Sequence, residues 1–167
     1  MKSLALKLAT VVLLSITIFS CAKEDNGIFF NENSELINNE VSYTEIENEI
    51  LTLVNEHRQE LGLTSLTTLN IISSVADSHT DYMIETGSVS HDNFSERAEA
   101  LTNNAKAKSV AENVAYGYGT AQGVVNGWLK SDGHRKIIES PNYTHFGIST
   151  ESNCDGRNYF TQIFIKK

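Results

Sequence analysis

The sequence predicts an α+β fold in which helices come first and a small antiparallel sheet comes last. Before residue 140, apolar residues recur mainly at the three- and four-residue spacing of amphipathic helices. In the last quarter, residues 146–150 and 159–165 are rich in β-branched and aromatic side chains and flank a polar turn that ends at Gly156. These two segments indicate a hairpin, and the order of elements argues against a doubly wound parallel sheet.

Four helices and one short helical turn are expected before the hairpin. The first begins at the capping box formed by Thr44 and Glu47 and ends near Gly62. The second covers about residues 69–86, with Gly87 just past its end. The remaining helical segments are predicted at about residues 95–102, 120–130 and 134–138. Residues 114–119 fit either a third strand or an irregular glycine-rich loop.

The charge distribution argues against a nucleic-acid role. The 167 residues, enough for one domain, carry a formal charge of −8, which repels a phosphate backbone. Eight acidic residues and a single lysine fall within residues 22–49, so the negative charge is concentrated in the segment before the domain and in the domain's first residues. The composition of residues 21–41 is typical of a solvated flexible tether. The folded domain is therefore expected at residues 42–167, as a monomer that does not bind nucleic acid.

The first twenty residues are typical of a secretory signal peptide. Lys2 and Lys7 precede an apolar run of about twelve residues that ends before Cys21. Residues 18–21 resemble the lipobox of bacterial lipoproteins, which implies cleavage before Cys21, acylation of its sulfur and anchoring at the cell envelope. A simply cleaved signal remains an alternative. So does an uncleaved anchor, although the run is short for about 30 Å of hydrocarbon. The sequence is compatible with an anchored protein on the outer surface of the cell and with one held inside the envelope.

A small set of polar side chains is a candidate for chemistry. Three histidines lie in turn-like polar sequence: His91, His134 and His145. Glu112 stands between apolar pairs, and a buried carboxylate is costly unless a cation, a histidine or backbone donors lie near it. The other two histidines, at positions 57 and 79, lie on apolar faces of predicted helices and are expected to be structural. Cys154 is expected to be a bystander thiol rather than a nucleophile.

Five segments in order resemble the CAP superfamily, the SCP-like domain of cysteine-rich secretory proteins, venom antigen 5 and class 1 pathogenesis-related proteins. The segments are Ser90-His91, residues 111–115 (AENVA), residues 125–135 (VNGWLKSDGHR), residues 142–147 (NYTHFG) and residues 159–164 (YFTQIF). The resemblance is to the bacterial branch and covers about residues 46–167. It implies an α-β-α sandwich with a central antiparallel sheet and a large surface cleft.

In animal members of this family, two histidines and two glutamates line the cleft and can bind a divalent metal. His91 and Glu112 match the first histidine and the first glutamate, whereas Ser131 and Tyr159 stand where the second pair is expected. His134 lies in the Gly-His-Arg motif of bacterial members. The expected cleft set is therefore His91, Glu112 and His134, with Asp132 and His145 as outer candidates. Two imidazoles and a carboxylate would suit a divalent metal such as zinc.

Three functions follow from this interpretation. The first is a lipid-anchored protein whose cleft binds an envelope or extracellular ligand, such as a lipid, a glycan or a peptide, without catalysis. The second is a metal-assisted hydrolase that uses His91, Glu112 and His134. In a metal-free version, the Glu112–histidine pair acts as acid and base or only holds the cleft's shape. The third is a surface interaction protein with a vestigial cleft.

Overall fold

The computed structural model describes residues 41–167. The predicted signal peptide, the acylation site Cys21 and nearly all of the predicted tether lie outside the described residues. Within residues 41–167, no helix combines the length and apolar character needed to cross a bilayer.

Five helices and four strands form between residues 41 and 167, in the order α1, β1, α2, α3, β2, α4, α5, β3, β4. The helices are α1 (Glu45–Glu60), α2 (Asn70–Thr86), α3 (Phe94–Ala105), α4 (Ala121–Lys130) and α5 (Asp132–Ile138). The strands are β1 (Thr67–Thr68), β2 (Ser109–Tyr116), β3 (His145–Ser152) and β4 (Asn158–Lys166). The α+β class predicted from the sequence is confirmed.

The sheet has the order β1-β3-β4-β2, so β2 lies at one edge. Strands β3 and β4 form the predicted antiparallel hairpin, and β2 pairs antiparallel with β4. The central antiparallel sheet is thus confirmed, and at its other edge the two-residue strand β1, which the sequence did not predict, pairs parallel with β3. Two exposed threonines form this strand, and they carry no apolar alternation by which the sequence could predict it.

Helices cover both faces of the sheet, which gives the expected sandwich. On one face, α2 and α3 pack through Ile72 and Leu101 against Ile163 of β4. On the other face, α1, α4 and α5 pack against the alternate residues of β4, including Phe160. Helix α2 passes close to β3 at Gly147, where an added Cβ would lie 2.5 Å from the Ser73 backbone nitrogen.

Several boundaries differ from the prediction. Strand β2 begins at Ser109, five residues before the predicted segment, and ends before the turn at Gly117, so the strand alternative holds for only part of residues 114–119. Helix α3 extends to Ala105, and α5 begins at Asp132 rather than His134. Residues 109–111 are exposed or half-buried, as expected at the end of an edge strand, and the buried Glu112 that follows interrupts the apolar pattern of β2 in the sequence.

Cys154 lies in the turn between β3 and β4 and is disulfide-bonded. The expectation of a bystander thiol at this position is therefore wrong. A cysteine in a polar turn carries no local pattern that distinguishes a thiol from a disulfide, because the bond depends on where the second sulfur comes in the fold.

Candidate functional site

The carboxylate of Glu112 lies at the centre of the candidate site. Glu112 is on the edge strand β2, opposite Ile163 of β4, and its side chain is 1% exposed. Arg97 of α3 donates from Nε to Oε2 and from Nη2 to Oε1, both at 2.8 Å. The Arg97 side chain is itself only 4% exposed, so this is a buried, two-pronged ion pair. The expectation that Glu112 needs a nearby partner is met.

His91 connects this buried pair to the surface. Its Nδ1 lies 2.9 Å from Glu112 Oε1, and its side chain is 52% exposed. Because a carboxylate oxygen only accepts, the imidazole donates its Nδ1 hydrogen to Glu112. The ring is therefore oriented by a buried group while much of its surface remains in contact with solvent.

The loop that carries His91 is fixed on both sides. Helix α2 ends at Gly87 and α3 begins after Asn93, and both residues have left-handed backbones, with φ of 66° and 58°. Glycine and asparagine tolerate this conformation, which turns the chain sharply at each end of the loop. The Ser90 carbonyl accepts a hydrogen bond from His79 Nε2 at 2.8 Å. The Asp92 carbonyl accepts one from Arg97 Nη1 at 2.7 Å.

His79 has the structural role that the sequence predicted. It is buried, and its Nε2 hydrogen is donated to the Ser90 carbonyl. Its distance of 3.8 Å from Glu112 Oε1 is too long for a hydrogen bond. Burial lowers the pKa of His79, and the positive charge of Arg97 lowers it further. Burial and Arg97 thus favour the neutral form of His79, and its buried Nδ1 has no hydrogen-bond partner in the structure.

His134, on α5, lies near this group of side chains. Its carbonyl accepts a hydrogen bond from Asn113 Nδ2 at 3.3 Å, which ties α5 to the residue next to Glu112 on β2. Burial lowers the pKa of His134, and the charge of His91 contributes in the same direction. The backbone of His134 is thus tied to the strand of Glu112, and the convergence of its imidazole with His91 stays a prediction.

The two outer candidates do not join the site. Asp132 is 78% exposed and pairs with Arg135 on the same helix at 2.7 Å. His145 begins β3, where it pairs with Thr67 of β1. Strand β4 separates β3 from β2, so His145 lies two strands, roughly 10 Å, from the strand of Glu112. Its Nδ1 contacts the Thr144 hydroxyl at 2.8 Å.

The predicted metal set does not fit this geometry. Within residues 41–167, no group of three or more histidine, cysteine, aspartate or glutamate side chains is arranged to hold a metal ion. Arg97 occupies both oxygens of Glu112, and Oε1 also accepts from His91. A metal ion would have to displace a buried guanidinium, which cannot lose its charge in compensation. The site is built around an ion pair.

Arg97 is the residue that sequence reasoning missed. It precedes the buried residues Leu101 and Ala105 by four and eight positions, so it continues the buried stripe of α3. A basic residue on an apolar stripe, close in sequence to a buried acid that needs a partner, is the signal that could have identified it.

A separate surface recess of about 230 Å³ lies between α1 and the β1 edge of the sheet. Its lining includes Tyr43, Asn48, Thr52, Thr68 and Phe146. None of these residues belongs to the group around Glu112, so the large cleft implied by the family resemblance stays a prediction.

Comparison with known proteins identifies the family. The model of the cysteine-rich secretory protein family, CAP, matches residues 51–164. The chain belongs to this family. The match includes His91, Arg97, Glu112 and His134, so the whole candidate site lies within the CAP domain.

Bacterial proteins are among the similar chains. The Bacillus subtilis (strain 168) protein named uncharacterized membrane protein YlbC is 35% identical over 129 residues, which are 74% of this chain and 35% of YlbC. An extracellular SCP-domain protein from Bacillus anthracis str. Ames is 26% identical, with a TM-score of 0.62 over 77% of this chain and 45% of that one. An outer surface protein from Borrelia burgdorferi matches in fold, with 21% identity and a TM-score of 0.66 over 76% and 96% of the two chains. This chain thus spans less than half of YlbC and of the Bacillus anthracis protein.

Proposed function

We propose that this protein is exported, anchored at the cell envelope through a lipid on Cys21, and binds an envelope or extracellular ligand at the surface around His91. The observation that supports binding is the half-exposed His91 imidazole, held by a buried carboxylate. An exposed histidine would ordinarily move among rotamers, and fixing it removes an entropic cost that binding would otherwise include. We take His134, whose carbonyl is bonded to the residue next to Glu112, as the second imidazole of this site. The ligand class is a lipid, a glycan or a peptide.

The alternative of a metal-assisted hydrolase is not favoured by the donor set. Its carboxylate ligand would be Glu112, whose two oxygens already accept three hydrogen bonds. A vestigial site is also disfavoured, because a buried ion pair contributes little net stability compared with apolar packing of the same volume.

Retention on envelope material tests the binding role. Purified protein is incubated with isolated envelope polysaccharide, with vesicles of extracted envelope lipid and with a digest of envelope protein, and the bound fraction is measured. His91→Ala should weaken retention on one of these by about tenfold or more, since a lost hydrogen bond of about 1.4 kcal/mol gives that factor. His145→Ala is the matched control, because it removes a histidine two strands away.

Three results would count against the binding role. One is wild-type protein that is retained by none of the three materials. Another is a His91→Ala variant that folds and binds as well as the wild type. A loss that His145→Ala reproduces would show only a general effect of charge or folding, and would also count against a site at His91.

The lipid anchor has a separate test. The chain contains two cysteines, so a disulfide at Cys154 and a lipid on Cys21 exclude each other, and we assign the lipid to the mature protein. The mass of the mature protein therefore distinguishes the two states directly. Cys21→Ala should move the protein from the membrane fraction to the soluble fraction, whereas Cys154→Ala should not. Continued membrane retention of Cys21→Ala would contradict lipidation.

A further inference from the structure

Arg97 has a role beyond neutralising a buried charge. Its guanidinium donates to both oxygens of Glu112 and, through Nη1, to the Asp92 carbonyl. The carboxylate plane is therefore fixed by two parallel bonds, and the backbone next to His91 is fixed by the third. Such fork geometry gives a defined orientation that a single point charge would not give.

We propose that Arg97 is a positioning residue that acts through Glu112 to set the tautomer of His91, with the proton on Nδ1 and the lone pair on Nε2. The inference rests on the proposed function only in taking Nε2 as the atom that meets the ligand.

Arg97 determines which hydrogen-bonding groups Glu112 presents to His91. A guanidinium has donors and no acceptors, so each oxygen that faces it must accept. A carboxyl hydrogen on either oxygen would be crowded against an N–H group of Arg97. Glu112 therefore presents an acceptor to His91, and the imidazole satisfies it only by donating from Nδ1.

The hydrogen bond at Nδ1 also determines what the other ring nitrogen of His91 can do. In a neutral imidazole, only one of the two ring nitrogens carries the proton. The hydrogen bond made by one nitrogen therefore fixes the protonation of the other. With the proton held on Nδ1, Nε2 of the neutral ring is an acceptor on a side chain that is half exposed. A ligand group that meets this atom has to supply an N–H or an O–H, such as a sugar hydroxyl or a peptide amide. A carboxylate or a phosphate would not satisfy it.

The experiment measures the tautomer without any ligand. Protein labelled with ¹⁵N at histidine is studied by long-range ¹H–¹⁵N NMR correlation at about pH 8.5, two units above the ordinary histidine pKa of about 6.5. In the wild type, His91 should be almost entirely in the form protonated on Nδ1. In Glu112→Ala, no carboxylate oxygen accepts from Nδ1, so the proton should move largely to Nε2, the nitrogen that carries it in most free neutral imidazoles.

The arginine variants test the indirect step. Arg97→Gln should lower the Nδ1-protonated fraction of His91 at least twofold, because the carboxylate is no longer fixed, and Arg97→Lys should restore only part of it. His145 is the internal control, and its tautomer should be the same in every variant.

A wild-type His91 with its proton on Nε2 would overturn the inference, even if the variants fail to fold. So would a folded Arg97→Gln protein with an unchanged His91 tautomer. A different outcome is that wild-type His91 has the expected tautomer but His91→Ala is still retained on envelope material. That outcome would contradict the proposed function and leave the positioning role of Arg97 intact.

Discussion

Replacing Arg97 with methionine tests the energetics of the buried ion pair. Methionine has a similar helix propensity and fills much of the same volume, so the main change is the loss of the guanidinium. Two bonds of 2.8 Å to Glu112 and one of 2.7 Å to the Asp92 carbonyl disappear. Removing one partner of a buried pair costs about 3–5 kcal/mol, because the remaining charge is left without compensation. A domain of this size has a total stability of only about 5–15 kcal/mol.

Urea unfolding followed by circular dichroism measures this cost. The free energy of unfolding should fall by about 4 kcal/mol in Arg97→Met, and the melting temperature by roughly 10–15 °C. Arg135→Met is the matched control, since Arg135 also contacts a carboxylate, that of Asp132, at 2.7 Å. That pair is 38% and 78% exposed and should contribute less than about 1 kcal/mol.

Equal losses in the two arginine variants would refute this reasoning, as would a loss below about 1 kcal/mol in Arg97→Met. A second comparison uses Glu112→Leu in the Arg97→Met background. The double variant should be destabilised by less than the sum of the two single changes, because it removes the isolated buried charge together with its partner.

Two further predictions concern packing and pH. Gly147→Ala should destabilise the protein by about 1–3 kcal/mol, because the new Cβ would overlap the α2 backbone at Ser73. Gly133→Ala is the control and should be neutral or slightly stabilising, because no atom lies within 4 Å of its added Cβ. Equal effects of the two variants on thermal unfolding would contradict the close approach at Gly147. Burial lowers the pKa of folded His79 below its ordinary 6.5, so below that pH the unfolded chain binds more protons at this residue than the folded protein does. The free energy of unfolding should therefore fall as the pH drops from about 7 to 5. His79→Gln should reduce this slope, and an unchanged slope would show that other groups cause it.

The parts of the fold that the sequence predicted are those with local, repeated patterns. The capping box at Thr44 and Glu47 and the left-handed glycine at the end of α2 are both present in the structure. The β-branched and aromatic residues of β4 and the helical spacing of apolar residues at 120–130 placed those elements correctly, and Trp128 of α4 is buried. Each signal depends on neighbours within one or two turns of chain.

The parts that were missed depend on contacts distant in sequence. Strand β1 exists because Thr67 meets His145 across 78 positions, and two threonines carry no sign of that pairing. Within the site, residue types indicated that Glu112 needs a partner. They did not indicate that Arg97 would occupy both of its oxygens, since that depends on how α3 packs beside β2. The same packing is the reason that a metal-ligand role for Glu112 does not fit the structure.

The claim that Arg97 and His91 occupy the Glu112 carboxylate is tested most directly by a crystal structure of the protein grown with zinc, with data collected at the zinc absorption edge. We expect both Arg97–Glu112 bonds to remain near 2.8 Å, with no anomalous peak at Glu112. A zinc ion bound to Glu112 together with His91 and His134, with the Arg97 side chain displaced, would contradict it.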